Sequence, residues 1–305
     1  MRPFDLLIPG EINPDLILSG DVEPAFGQVE KLVQSAALTI GSSSVITACG
    51  AARLGLKVAF IGKCGEDVLG RFMLEEMSKR GVEVDNVIRV PNGNTGLSVI
   101  LNRGVDRAIL THLGLIPALS AQDIPDSLLS QARHLHVASY FLQDSLRPGL
   151  PRLLERARAL GLTTSLDTNY DPSERWQGVF DLLPLVNVFL PNEAEACSLA
   201  READVESAAE KLATRVETLV IKLGAAGALG VRSGQTIRTA SIPVNVVDTV
   251  GAGDSFNAGF LCGYLHDWPL EPSLRLAAVC GALSTQAAGG TAAQPTLEQA
   301  MAYLR

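Results

Sequence analysis

Aromatic side chains are scarce in this chain: two Trp, four Tyr and nine Phe among 305 residues. A stacking pocket for a nucleobase therefore has little to be built from, with Phe26 and Phe141 the available candidates. The formal net charge is −8, which argues against nucleic acid or an anionic membrane as a partner. No stretch is apolar for long enough to span a bilayer. Only Arg2 precedes a short apolar run broken by Pro9, Gly10 and Glu11, which argues against a secretory leader. The five cysteines (Cys49, Cys64, Cys197, Cys262 and Cys280) lack the paired spacing of a zinc site or disulfide framework. Reduced, partly buried thiols in a cytoplasmic protein account for them. The four histidines show no metal-ligand spacing, and His134 and His136 are expected on opposite faces of a strand. A Gly-x-Ser-x-Gly elbow is missing as well, so a hydrolase of that type has no support.

What the chain has is a folded composition, 47% hydrophobic and 19% charged. Short apolar runs without polar alternation (57–62, 135–138, 163–166 and 219–222) are interspersed with amphipathic helical stretches such as 68–80 and 147–160. That alternation predicts a parallel sheet covered by helices on both faces. Two segments depart from it, 15–41 and 95–111, where the pattern favours strands of a small antiparallel sheet standing apart from the main one.

The most informative stretch is Asp248-Thr249-Val250-Gly251-Ala252-Gly253-Asp254. It follows a strand-like run at 242–247 and precedes a helix marked by Phe256, Phe260 and Tyr264 at four-residue spacing. Small residues at a helix mouth leave backbone N–H groups unpaired and unshielded, and the helix dipole adds positive potential, which together favour an anion. A carboxylate at the edge of that turn can take a proton from whatever attacks the anion, an arrangement suited to phosphoryl transfer. The helix terminus itself favours the carboxylate anion, so Asp254 is expected to be a weak base. Gly259 and Gly263, inside the same helix, are assigned to close packing.

The string 248–254 resembles the C-terminal signature of the ribokinase-like (phosphofructokinase-B) carbohydrate kinases, and the resemblance runs nearly end to end. It implies an α/β class fold, a three-layer α/β/α sandwich with a small β-sheet lid, in one domain over 1–305. The lid would be formed by about 13–41 and 95–112 and close over a sugar. Asp254 would be the catalytic base, and the Gly251, Ala252 and Gly253 amides would hold the transferring phosphoryl group.

Other positions follow from the same resemblance, each also readable as ordinary structure. Asn13 and Asp15 lie beyond the first strand, where an amide and a carboxylate can bracket a diol, although Asn-Pro-Asp is also a good turn. Gly41 and Ser43 are candidate sugar contacts. There the family has Gly-Gly and a later Asn, whereas this chain has Ser42 and no Asn, which leaves the substrate open. Asn169, two residues after Asp167, is a substrate candidate or the end of a strand. Asn192 and Glu195 can flank a magnesium and phosphate site, the metal being held through water, or simply form a helix capping box. Lys222, Gly224, Gly227 and Thr249 are nucleotide-side candidates, Lys222 being as readily a solvated strand end. The Ala- and Gly-rich tail 277–296 would back the adenine. Asp248 and the Val250 carbonyl would hold a monovalent cation such as potassium. Gly62-Lys63-Cys64 is no Walker A loop, because Lys57 and Cys64 stand where Gly and Ser or Thr are required.

The reading is thus an ATP- and Mg-dependent kinase acting on a primary hydroxyl of a small pentose or hexose. The alternatives are a nucleoside, a 2-keto-3-deoxy sugar acid, or a non-catalytic binding role on the same fold. A homodimer through the lid edge is the expected assembly.

Overall fold

The computed structural model describes residues 2–103 and 107–304. Its centre is a nine-stranded sheet in the order Gln235–Thr239, Ala228–Arg232, Thr218–Lys222, Val188–Phe189, Thr163–Leu166, Ala132–Val137, Phe4–Pro9, Val58–Ile61, Val82–Glu83. All neighbours are parallel except the last hairpins on one edge, where Ala228–Arg232 runs antiparallel to both of its partners.

Both faces of this sheet are buried, and alternate residues of one strand enter different cores. In Phe4–Pro9, Leu7 packs with Leu153 and Leu154 of the helix Leu150–Ala159. Leu6 and Ile8 instead pack with Val45 of Ser43–Arg53 and Leu261 of Ala252–Leu265. That is why the strands read as continuous apolar runs: neither side can face water. The result is a three-layer α/β/α sandwich.

A second sheet stands apart, in the order Ser35–Ile40, Pro14–Ser19, Leu97–Asn102, Arg107–His112. It is antiparallel except between Pro14–Ser19 and Leu97–Asn102, which run parallel. Side chains alternate across it. Asp15, Ser98 and Thr111 are in register on one face, while Leu38, Leu16, Val99 and Leu110 form a row on the other.

The helix Ala252–Leu265 lies against Leu270–Ser284, and two glycines set how closely. A Cβ at Gly259 would stand 2.9 Å from the Ala277 Cα and 3.0 Å from the Leu276 carbonyl oxygen; one at Gly263 would meet Ser273 Oγ at 2.7 Å. The expected assignment of both to packing therefore holds. Gly259→Ala should destabilise the fold by about 1–3 kcal/mol through overpacking, outweighing the ~1 kcal/mol that Ala contributes to helix propensity. Equilibrium urea denaturation checks this, and an unchanged or higher midpoint would refute it.

Candidate active site

The turn singled out in the sequence forms as expected. Gly251 caps the helix Ala252–Leu265 in the left-handed region, at φ +71°. A Cβ there would also stand 2.7 Å from the Gly290 Cα, so backbone conformation and crowding both select glycine. Ala252 and Gly253 open the helix, and Asp254 lies in its first turn without capping it. Its side chain is buried.

Asp254 departs from one expectation. Burial pushes its carboxyl well above the usual carboxylate range, and the nearby Asp167 pushes it the same way. Lys222 and a hydrogen bond with Ser43 pull back, while Glu11 raises it further. Desolvation and negative neighbours thus raise the proton affinity of this carboxyl, where the helix terminus alone was expected to lower it.

The centre of the electrostatics is Lys222, at the end of Thr218–Lys222. It was open to reading as a solvated strand end; instead its side chain is only 12% exposed and its Nζ lies 2.6 Å from Asp167 Oδ2. The Asn257 side-chain amide donates to that same Oδ2 at 2.5 Å, and Lys222 Nζ approaches Asn257 Oδ1 at 3.4 Å. Burial pushes the lysine down, but Asp167, Glu195 and Asp254 more than offset it, and its pKa is raised. A side-chain carbon at Gly253 would stand 3.7 Å from Nζ, so the ammonium borders the helix mouth.

Glu195 belongs to the same group. It is buried, and with Asn192 it forms a complete capping box at the start of Glu193–Ala200. Asn192 N donates to Oε2 at 2.9 Å and Asn192 Nδ2 to Oε1 at 2.6 Å. Burial and Asp167 push the Glu195 carboxyl up to about 7. Among the described residues no three His, Cys, Asp or Glu side chains are grouped so as to hold a metal ion.

On the side of the four-stranded sheet, Asn13, Asp15 and Gly41 come together. Asn13 Nδ2 approaches Ser98 Oγ at 3.3 Å and Asp15 Oδ1 at 3.4 Å. Gly41 abuts Asp15 so tightly that a Cβ would sit 2.1 Å from Oδ1. Burial raises the Asp15 carboxyl to about 7, with Arg107 opposing and Asp248 adding to the rise. Nearer Asp254, Asn169 holds Ser43 Oγ at 2.8 Å and accepts from Ser139 N at 2.9 Å.

On the other side of the helix mouth opens a cavity of about 610 Å³. Lys222, Gly224, Gly227, Thr249, Ala252 and Gly253 line it, and Ala278, Gly281 and Thr285 of the Ala- and Gly-rich tail close it. Asn192 does not reach this wall, being held to Glu195, although its backbone bridges Lys222. Asp248 ties its own loop to the C-terminal tail, accepting from Val250 N at 3.0 Å and from Gly289 N at 2.9 Å. Neither aromatic candidate lines this cavity: Phe26 is 97% exposed elsewhere, and Phe141 is packed edge-on between Tyr140 and Trp176.

The histidine expectation needs correction. Residues two apart in a strand share a face, and His134 and His136 both reach Ser165 Oγ, at 2.6 and 2.7 Å. Burial holds both rings below their ordinary pKa, His136 at about 4. Sequence reasoning also gave no role to Glu11, Ser98, Ser139, Asp167 or Asn257. Asn257 carried a usable signal, a polar residue three positions after Asp254 in an apolar helix.

Removing the ammonium should expose how strained this centre is. Lys222→Met leaves Asp167 buried without its counter-charge and should cost about 3–5 kcal/mol. A urea midpoint within error of the parent protein would contradict this.

Comparison with known proteins identifies the family. A profile of the pfkB family carbohydrate kinases matches residues 10–297. The chain is 31% identical to 2-dehydro-3-deoxygluconokinase of Bacillus subtilis, with 84% of each chain aligned. It is 32% identical to a fructokinase of Klebsiella pneumoniae, over 84% of this chain and 88% of the other. It is 28% identical to 5-dehydro-2-deoxygluconokinase of Geobacillus thermodenitrificans, over all of this chain and 94% of that one. Among solved structures, a putative ribokinase II of E. coli in complex with ATP and magnesium superposes with a TM-score of 0.89 at 21% identity, covering 99% of both chains. The curated relatives are named as kinases, and the chain belongs to the pfkB family of carbohydrate kinases.

Proposed function

We propose that this kinase transfers the γ-phosphoryl group of ATP to a primary hydroxyl of a small sugar, pentose or hexose, with Asp254 as the base. The observation that carries this reading is the place of Asp254. It stands at the helix mouth between the cavity bordered by Gly253 and Lys222 and the polar cluster of Ser43 and Asn169. The cavity would take ATP, its γ-phosphate against the Gly251, Ala252 and Gly253 amides with Lys222 beside it. Asn13, Asp15, Gly41, Ser43 and Asn169 would hold the sugar, and the four-stranded sheet would act as its lid.

In the transfer, the hydroxyl proton passes to Asp254 as the alcohol oxygen bonds to phosphorus. The bond from phosphorus to the β–γ bridging oxygen breaks, and ADP leaves. The raised pKa of Asp254 suits it to accept that proton. Magnesium would neutralise phosphate charge and be held by water near Glu195, whose own oxygens are engaged by Asn192. Asp248 and the Val250 carbonyl are the proposed monovalent-cation contacts. A fructokinase of Vibrio cholerae has been solved with fructose, ADP and a potassium ion bound.

The decisive experiment is ADP release with ATP and Mg, with and without K, across pentoses, hexoses, keto-deoxy sugar acids and nucleosides. One acceptor should stimulate release strongly. With that acceptor, Asp254→Asn should lose about 10²–10⁴-fold in turnover while ATP still binds. Near-parental turnover would reject Asp254 as the base, and ATP binding with no acceptor-dependent release would point to a binding role.

The outer lid face supports a homodimer formed by lid-to-lid packing. Leu38 and Leu110 are exposed there, in one row with Leu16 and Val99. Sedimentation should give a dimer for the parent chain and a monomer for Leu110→Lys. A monomeric parent chain would reject the assembly.

A further inference from the structure

We propose that Glu11 is the positioning residue of the acceptor site, a buried carboxylate that locks together three loops bearing acceptor contacts and places negative charge beside Asp254. The inference rests on the phosphoryl-transfer reading above.

The geometry is specific. Glu11 is 3% exposed, just past the end of Phe4–Pro9. Its Oε1 accepts from Ser42 Oγ at 3.0 Å, Ser44 N at 3.1 Å and Ser139 Oγ at 2.9 Å; its Oε2 accepts from Ser44 Oγ at 2.6 Å. These donors come from two other loops, one opening the helix Ser43–Arg53 and one following Ala132–Val137. Each of the three loops bears on the acceptor side. Asn13 lies two residues beyond Glu11, and Ser43 lies between the two serines that Glu11 holds. Ser139 fixes Asn169 through its backbone N–H.

Ser42 shows how much the arrangement depends on this carboxylate. Its φ is +68°, in the region that favours glycine. The hydroxyl compensates by donating toward the Glu11 carbonyl at 2.7 Å and Oε1 at 3.0 Å, and by accepting from Val45 N at 3.1 Å. A serine therefore stands where the resembled motif has its second glycine, because Glu11 gives it a partner.

The charged groups facing Asp254 are Asp167 and Lys222 from the ends of core strands and Glu11 from the first strand; its own helix contributes the neutral Asn257, bound to Asp167. Glu195 faces Lys222 from a further helix. Glu11 is thus one of two carboxylates that oppose ionisation of the base, and removing its charge must make Asp254 easier to ionise.

Glu11→Gln separates locking from charge. The amide oxygen can keep the three donors on Oε1, and the amide N–H₂ can donate to Ser44 Oγ once that hydroxyl turns. The acceptor KM should stay within about twofold, while the acid limb of the kcat–pH profile moves to lower pH. Glu11→Ala loses all four bonds, and its acceptor KM should rise about tenfold or more with the ATP KM unchanged. Should Glu11→Ala not fold, Ser139→Ala removes one lock and should raise the acceptor KM alone. An unmoved acid limb in Glu11→Gln, with Asp254→Asn inactive, overturns the charge role. An unchanged acceptor KM in folded Glu11→Ala, or in Ser139→Ala when Glu11→Ala does not fold, overturns the lock. Near-parental turnover in Asp254→Asn instead overturns the base reading, and the KM measurements alone then decide Glu11.

Discussion

One ammonium group surrounded by carboxylates is the constraint on which this site depends. Lys222 lies 2.6 Å from Asp167, with Glu195 and Asp254 close enough to raise its pKa. Burying so many charges is costly unless each has partners, and removing the single cation leaves the carboxylates uncompensated. The surrounding fold supplies those partners. Asn257 braces Asp167 from the helix that bears Asp254, and Asn192 satisfies both oxygens of Glu195. The strain that remains has a direction: Glu195 and Asp254 both hold their protons more tightly than exposed carboxyls do. A site in this condition is prepared to receive a proton, and to receive cations that arrive with a ligand.

The elements that deliver these groups converge on one end of the sheet. Pro9, Val137, Leu166 and Lys222 end parallel strands there, and the chain leaving each strand carries Glu11, Ser139 and Asp167 or, at Lys222, the residue itself. In a parallel sheet the C-terminal ends of the strands gather ligand-binding loops. Here the gathering is continued below the surface. His134 and His136 share the Ser165 hydroxyl, two residues before Asp167 on the same face. A single serine proton cannot serve two acceptors, so at least one neutral ring must donate to it. The pair thus fixes an orientation in the strand that presents Asp167, without any metal or charge.

The sequence was most legible where structure is local. The turn 248–254 and its helix, the alternation of strand and helix and the capping box at Asn192 all depend on residues a few positions apart. They could be read directly, and so could the close packing at Gly259 and Gly263. What escaped were pairings between distant residues. Asp167 and Lys222 lie 55 positions apart and Asp167 and Asn257 lie 90 apart, and no periodicity announces such contacts. The same blindness made Lys222 look like a solvated strand end. The weak-base expectation for Asp254 failed for a related reason: the helix terminus is visible in sequence, while burial and the carboxylates opposing it are not. The histidine misplacement was of another kind, since a strand's period of two already puts residues 134 and 136 on one side.

Ser42 shows how a departure from a motif can be absorbed without loss of the local geometry. A left-handed residue with a side chain is unfavourable by itself, and glycine would remove that cost. Glycine would also remove a hydroxyl that binds Glu11 twice and caps Val45. With glycine at 42, Glu11 would keep only the Ser44 and Ser139 contacts, and a buried carboxylate would face a smaller set of donors. The two residues therefore make sense together rather than singly. Their pairing ties the first strand to the helix that presents Ser43, and Ser43 in turn bonds Asp254. The substitution at 42 thus bears on the position of Ser43 and on the charge beside Asp254, within the part of the site assigned to the acceptor rather than the nucleotide.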